Sequence, residues 1–330
     1  MKDLLEKIKI LKVGTANSDY PVYAQFLYSK DGVLQTTNGK DFVNLEYDLP
    51  FEGLINLYVL ESFLKQVDDI DKLEFYQDND SVFLKAGVLT AKLNMLPKER
   101  SSFPEIKFPS LSEKFEITED IMEQLETAFK FVGNNIYGYV YIGKEGIISS
   151  DMYKAFMFEN EFQIKNPIGL SKKMLPVLKP GVKIALSEGN VVVFLNEEDF
   201  VIFSDLYSME SYPYEKVFNF IKKSRSGVEL CNILPIRNAL DKLMPILHNE
   251  KLKLINMCSS ENNIMDISAI SEINGTSNYR IKVLTGKEFD ISMDASNIIN
   301  IPISFDLYLS DNDRLYLNDG ESEIAVLGMV

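Results

Sequence analysis

Apolar residues recur along this chain in two alternating periods. At helical spacing, Leu4, Leu5, Ile8 and Leu11 share one face, and so do Ile121, Leu125, Ala128, Phe129 and Val132. A third set is Ile233, Ile236, Leu240, Leu243 and Leu247. Each set predicts a helix. Thr118 stands where its hydroxyl can cap the second, and Pro235 falls early enough in the third to be tolerated. A further helix is predicted midway through each third, at 57–67, 171–178 and, more weakly, 295–299. Most of the remainder alternates at period two, as in Tyr139-Val140-Tyr141-Ile142 and Arg280-Ile281-Lys282-Val283, which predicts half-buried strands.

The pattern repeats. Val82-Phe83-Leu84 opens a strand, followed by a turn, a second strand and Phe103-Pro104-Glu105. Val193-Phe194-Leu195 leads in the same way to Tyr212-Pro213-Tyr214, and Leu315-Tyr316-Leu317 runs into Ile324-Ala325-Val326-Leu327. Boundaries near Ser110 and Ile221 give three similar domains, 1–110, 111–221 and 222–330, with 222–227 (Lys-Lys-Ser-Arg-Ser-Gly) read as a linker. The expected class is α+β, with two helices and antiparallel sheets in each of three tandem domains. Tandem domains that pack edge to edge tend to form arcs or rings.

Composition narrows the function. The 330 residues carry 49 acidic against 34 basic side chains, a formal net charge of −15. Broad affinity for DNA is therefore excluded, because duplex binding rests largely on phosphate neutralisation. Any nucleic-acid role needs a local basic lining. His248 is the sole histidine and no glycine-rich phosphate loop occurs, so no serine–histidine triad, His-rich metal site or nucleotide site is expected. Acidic runs such as Glu197-Glu198-Asp199 read as solvated turns. Cys231 and Cys258 have neither metal spacing nor a disulfide framework. No apolar run approaches the roughly 20 residues that span a bilayer, and no signal-peptide pattern opens the chain. These features predict a cytoplasmic, non-catalytic protein without metal, cofactor or membrane partner.

Several segments resemble the bacterial beta sliding clamps, the DNA polymerase III beta subunits. Ile246-Leu247-His248-Asn249-Glu250-Lys251, with the stretch through Ser260-Glu261-Asn262, is similar to the corresponding part of that family. Asp151 stands where the family has Thr-Asp-Gly-His-Arg-Leu, with Met152-Tyr153-Lys154 replacing Gly-His-Arg. Tyr212-Pro213-Tyr214 followed by Val217 resembles its aromatic-Pro-Asp-Tyr segment, and Val326-Leu327-Gly328-Met329-Val330 its apolar tail. The motifs occur in family order over essentially the whole chain, which is somewhat shorter than usual members. A divergent or phage-encoded member fits these departures.

The resemblance implies a DNA clamp fold in which each chain is half of a ring. Two copies would close head to tail around duplex DNA, with Phe103 and Ile106 of one facing Ile246 and Leu247 of the other. Partners, a DNA polymerase and a clamp loader, would dock short apolar peptides at Ile136, Ser150, Met152, Tyr153, Ala155, Pro213, Val217, Ala325 and Leu327. Lys2 and Lys9, on one face of the first helix, would meet phosphates. So would Lys65, Lys130, Lys172, Lys173, Lys179, Arg237 and Lys242, on or beside predicted helices. Against this lining, Glu119, Glu123 and Glu126 stripe the second helix, and the middle third carries the largest acidic excess. That stripe motivates an alternative: a clamp-fold peptide-binding scaffold or decoy that does not encircle DNA.

Overall fold

A computed structural model of the chain describes residues 2–16, 21–97, 103–106, 114–165, 167–187, 189–204, 212–225, 227–260, 262–310 and 314–327. In chain order, α1 (Lys2–Leu11) precedes β1 (Phe26–Lys30), β2 (Val33–Thr37), β3 (Phe42–Glu46) and β4 (Gly53–Asn56). Next come α2 (Leu57–Leu64), β5 (Leu73–Asp78), β6 (Ser81–Ala86) and β7 (Leu89–Asn94). The short β8 (Phe115–Glu116) leads to α3 (Glu119–Ala128), β9 (Tyr139–Gly143), β10 (Gly146–Ser150), β11 (Lys154–Glu159) and β12 (Ile168–Ser171). Then follow β13 (Lys183–Ser187), β14 (Asn190–Phe194), β15 (Phe200–Ser204), α4 (Tyr214–Ser224), β16 (Gly227–Asn232) and α5 (Ile233–Leu243). The chain closes with β17 (Leu254–Ser260), β18 (Ile264–Ser271), β19 (Gly275–Lys282), β20 (Phe289–Asp294), β21 (Asp306–Ser310), β22 (Arg314–Asn318) and β23 (Ser322–Leu327). The class is α+β with antiparallel sheets, as the two periods predict.

Two eight-stranded sheets follow one plan. The first runs β4-β1-β2-β3-β15-β14-β13-β8 and the second β12-β9-β10-β11-β23-β22-β21-β16. In each, an earlier three-strand meander meets a later one along a single antiparallel seam. Val43 lies opposite Val201 at the β3–β15 seam, and Ala155 opposite Ala325 at the β11–β23 seam. The middle of the chain thus serves both sheets. Two smaller sheets, β5-β6-β7 and β19-β18-β17-β20, complete the strands described. Contacts group the chain into two compact units, Met1–Met122 with Leu170–Ser208 and Glu123–Gly169 with Met209–Val330.

The helices form where the apolar spacing places them. Leu4, Ile8 and Leu11 of α1 are buried, as are Ile121 and Leu125 of α3 and Ile233, Ile236, Leu240 and Leu243 of α5. Burying each such side chain is worth about 1.5–3 kcal/mol, which outweighs weak local propensity. The Thr118 hydroxyl accepts from the Ile121 amide at 3.3 Å, the expected cap. At two helix C-termini, strand hydroxyls donate instead. Thr36 of β2 donates to the Leu11 carbonyl at 2.6 Å, and Ser149 of β10 to the Ala128 carbonyl at 2.8 Å. Gly14 is required beside the first of these, because an added Cβ would lie 2.5 Å from the Thr36 hydroxyl.

Four expectations are corrected. Only Lys172–Met174 of 171–178 makes a helical turn, a short 3-10 segment, because Pro176 cannot donate to a continuing helix. Ala295–Asn297 is likewise a single 3-10 turn. The supposed linker at 222–227 begins instead as the last turn of α4, where Ser224 is fully buried and donates to the Phe220 carbonyl at 2.8 Å. Asp199 is not solvated: it is 5% exposed and accepts from Lys7 Nζ at 3.1 Å, Asn196 Nδ2 at 2.9 Å and the Glu46 amide. With Asp41, which accepts from Lys173 Nζ and the Ser204 amide, it pins the β3–β15 seam.

Glu61 on α2 joins two lysines, Lys12 at 2.9 Å and Lys65 at 2.8 Å, while its own side chain is 12% exposed. The hydrogen bond from Lys12, then that from Lys65, hold its carboxyl below the ordinary glutamate value. Its contribution is therefore present above the unfolded value of about 4.3 and is lost as pH falls through the lower native value. Glu61→Gln should lower neutral-pH stability by up to about 1 kcal/mol, since both lysines are partly solvated. It should also flatten the loss of stability below about pH 4.3, as read by denaturant titration at stepped pH.

Candidate functional site

The second unit carries the strongest candidate. Strands β9, β10, β11 and β23 present one face to α4, and Val217 and Ile221 of that helix are buried against Tyr141, Ile148, Ala155, Met157, Tyr212 and Ala325. Tyr212 stacks on Tyr141 with ring centroids 3.8 Å apart, and Tyr137 meets it edge-on at 6.2 Å. Burial, then the neighbouring tyrosines, push the Tyr212 hydroxyl well above its ordinary value, so it stays neutral. Among the described residues its oxygen is buried without a hydrogen-bond partner. Tyr214 donates to Glu145 at 3.1 Å and stacks on Phe218.

Beside this cluster the chain turns between β10 and β11. Asp151 Oδ1 accepts from the amides of Tyr153 at 3.0 Å and Lys154 at 2.9 Å, and the Ser150 hydroxyl donates to the Lys154 carbonyl at 2.9 Å. The turn holds Met152 at φ +82, a left-handed conformation that disfavours a side chain. Met152 and Tyr153 are left 61% and 54% exposed. Apolar side chains held out beside an aromatic-lined patch can seat the anchors of a short peptide.

Of the nine groove residues named from the sequence, the structure brings Ala155, Val217 and Ala325 into one buried cluster. Ser150 is buried in the adjoining turn, and Pro213 caps the start of α4. Ile136 is half-buried in the 3-10 turn Asn135–Tyr137. Leu327 ends β23 opposite Arg314, and its side chain lies outside the described residues. Sequence reasoning missed Tyr141, Phe220 and Arg314, together with α4 itself. The apolar spacing of Tyr214, Val217, Phe218 and Ile221 carried that signal.

The remaining residues are more scattered. Phe103 packs on Tyr28 at 4.9 Å, and Ile106 on a cluster of Ala185, Val192, Phe194 and Phe200. Ile246 is half-buried, whereas Leu247 is fully buried in its own unit. Lys9, Lys130, Lys172 and Lys179 are exposed. Lys65 pairs with Glu61, Lys173 pairs with Asp41 at 2.7 Å, and Lys242 donates to the Tyr279 hydroxyl at 2.7 Å. Arg237 donates to the Ile301 carbonyl at 3.3 Å, and the Lys2 side chain lies outside the described residues. Glu119, Asp120, Glu123 and Glu126 are exposed on α3.

Other chemistry is sparse. Burial, then Asp306 and Glu229, push the Cys231 thiol up to about 12, and Cys258 is also raised. Both thiols are therefore poor nucleophiles at neutral pH. Among the described residues no cluster of three or more His, Cys, Asp or Glu is placed to hold a metal. Among them, too, no helix is long and apolar enough to cross a membrane.

No protein-family model and no curated protein matches the chain. Solved structures do. The DNA polymerase III beta subunit of Thermotoga maritima superposes with a TM-score of 0.81 at 15% identity, covering 100% of this chain and 97% of that one. The sliding clamp (DNA polymerase III subunit beta) of Pseudomonas aeruginosa bound to griselimycin gives 0.79 at 18% identity, with the same coverage. The DNA polymerase sliding clamp of Bacillus subtilis gives 0.77 at 13%, again over 100% and 97%. At such identities the likeness is one of fold, and end to end this chain has the fold of the bacterial beta sliding clamps.

Proposed function

We propose that this chain is a DNA sliding clamp, a non-catalytic subunit that closes with a second copy around duplex DNA and tethers a polymerase. One observation carries the reading. A clamp fold spans the whole chain, and residues matching the clamps' partner-peptide groove include an apolar cluster beside exposed Met152 and Tyr153. The three domains would be 1–110, 111–221 and 222–330, and the ring would join Phe103 and Ile106 to Ile246 of the partner copy. Leu247, being buried, would support that surface rather than touch it. A clamp loader would spend the nucleotide, since this chain has no nucleotide motif.

Sliding requires phosphate contacts that are weak and without register. Lys9, Lys130, Lys172 and Lys179 would supply them, whereas Lys65, Lys173 and Lys242 are already engaged within the chain. The exposed acidic face of α3 favours a second reading, a clamp-fold scaffold that binds peptides without encircling DNA.

Peptide docking is tested with fluorescent synthetic peptides bearing leucine and phenylalanine anchors. Met152→Glu should weaken their binding about tenfold or more, on the order of 1.4 kcal/mol. Met152→Gly should also weaken it, yet raise stability by up to about 1 kcal/mol by relieving the left-handed turn. Unchanged affinity in both variants would move the docking site elsewhere.

A further inference from the structure

The later meander of each eight-stranded sheet ends in one added strand. β8 lies antiparallel along the outer edge of β13, with Glu116 opposite Lys183, and β16 lies so along β21, with Val228 opposite Leu309. A third meander, β5-β6-β7, has the same build, yet among the described residues no strand lies along the outer edge of β5. The two-residue turn Asn79-Asp80 fixes which groups that edge presents. Asp78 and Ser81 close the hairpin as a hydrogen-bonded pair, so Tyr76 and Glu74 also bond to β6. The amides and carbonyls of Leu73, Phe75 and Gln77 therefore turn outward. Among the described residues, no backbone hydrogen bond from outside the hairpin reaches these three.

An unpaired edge is a template for another strand, and lysine, proline or a bulge commonly blunts it. β5 contains no lysine or proline, and its register with β6 is unbroken. Its charges are instead of one sign. Glu74 and Asp78 in the strand, and Asp68, Asp71 and Asp80 beside it, are all exposed. The one basic residue from Asp68 to Asp80 is Lys72, which pairs with Asp69 at 3.0 Å. Like charges set against each other would repel the same edge of a second copy and attract a basic strand. Between Glu74 and Asp78, on the same face, Tyr76 is 63% exposed and offers its ring to a cation. On the opposite face, half-buried Phe75 stacks on Phe51 at 6.2 Å and offers apolar ground.

We propose that the outer edge of β5 receives an extended basic segment of a partner protein as an added antiparallel strand. Lysine or arginine alternates with apolar residues along that segment. Its basic side chains lie beside Glu74, Tyr76 and Asp78, and its apolar ones beside Leu73 and Phe75. The antiparallel sense is that of β8 on β13 and of β16 on β21. This edge shares no residue with the peptide site beside α4, so either assignment can fail alone.

The test measures binding to the intact chain of a fluorescent peptide that alternates lysine and valine over the six residues of β5. Two further peptides carry N-methyl groups on one or the other alternate set of backbone nitrogens. Methylating the set that faces β5 should weaken binding about tenfold or more, and methylating the other set should change it less than about twofold. Glu74→Lys with Asp78→Lys should weaken the unmodified peptide about tenfold and leave the thermal midpoint unchanged, because both side chains are exposed. Equal effects of the two methylations would mean mere adhesion of a basic peptide to an acidic surface and would overturn the proposal. So would binding that ignores the charge reversal. An unmodified peptide that does not bind would overturn it as well, the edge then being covered by this chain itself or closed to strands. If the double variant fails to fold, the methylated pair, measured on the wild type, decides.

Discussion

Tyr212→Ala should destabilise the chain by about 3–4 kcal/mol, the cost of an aromatic side chain deleted from a close-packed cluster. The ring is 6% exposed, stacks on Tyr141 and meets Tyr137, and it stands two residues before α4. Its loss should loosen the helix from the sheet and weaken peptide docking in parallel. Tyr212→Phe separates ring from hydroxyl. Because the buried oxygen has no partner among the described residues, its removal should be neutral or stabilising by about 1 kcal/mol. Urea denaturation followed by near-ultraviolet circular dichroism reads both variants. A Tyr212→Phe variant as damaged as Tyr212→Ala would mean that the hydroxyl, not the ring, holds the site together.

Glu323→Ala is expected to cost about 2–3 kcal/mol. Glu323 is 9% exposed, and its carboxylate joins Arg225, the residue that follows α4, the Tyr316 hydroxyl and, through Arg225, Glu159. Removing it leaves the phenol without its acceptor and the arginine with Glu159 alone, beside a partly buried gap. The arginine side chain is one third exposed, which keeps the figure below that of a fully buried pair. Arg225→Ala should cost a comparable amount, because Glu159 can turn toward water but the buried Glu323 is left with the Tyr316 hydroxyl. The double variant should then be less destabilised than the sum of the singles. Strict additivity in that cycle would show that the two residues do not act as a pair.

The fold was legible wherever one period held for several turns. Leu4, Ile8 and Leu11, or Ile236, Leu240 and Leu243, leave no alternative to a helix with one buried face. Thr118 also marked its own cap. The α4 helix was obscured because Tyr214, Phe218 and Phe220 are aromatic and read equally well as strand, while its lysine-rich end looked like a linker. Short-range pattern also says nothing about charge pairing. Asp199 and Asp41 sit in polar stretches, and only the β3–β15 seam reveals that their partners are Lys7 and Lys173.

The site was legible in part for the same reason. Ala155, Val217 and Ala325 came from motif order, and strand register then placed them together. Arg314 had no such signal. Its place over the Phe220 ring appears only once β22, β23 and α4 are assembled. The turn conformation at Met152 is equally invisible in sequence, where a methionine replaces the glycine that the resemblance implies.

The central claim is ring closure, and solution mass by light scattering, with the same sample viewed by negative-stain microscopy, tests it most directly. The account predicts a homodimer of about twice the 37.6 kDa chain, seen as a ring with a central hole. Ile246→Glu should convert that dimer to monomers. A wild-type chain that stays monomeric throughout the micromolar range, with no ring in the images, would contradict it.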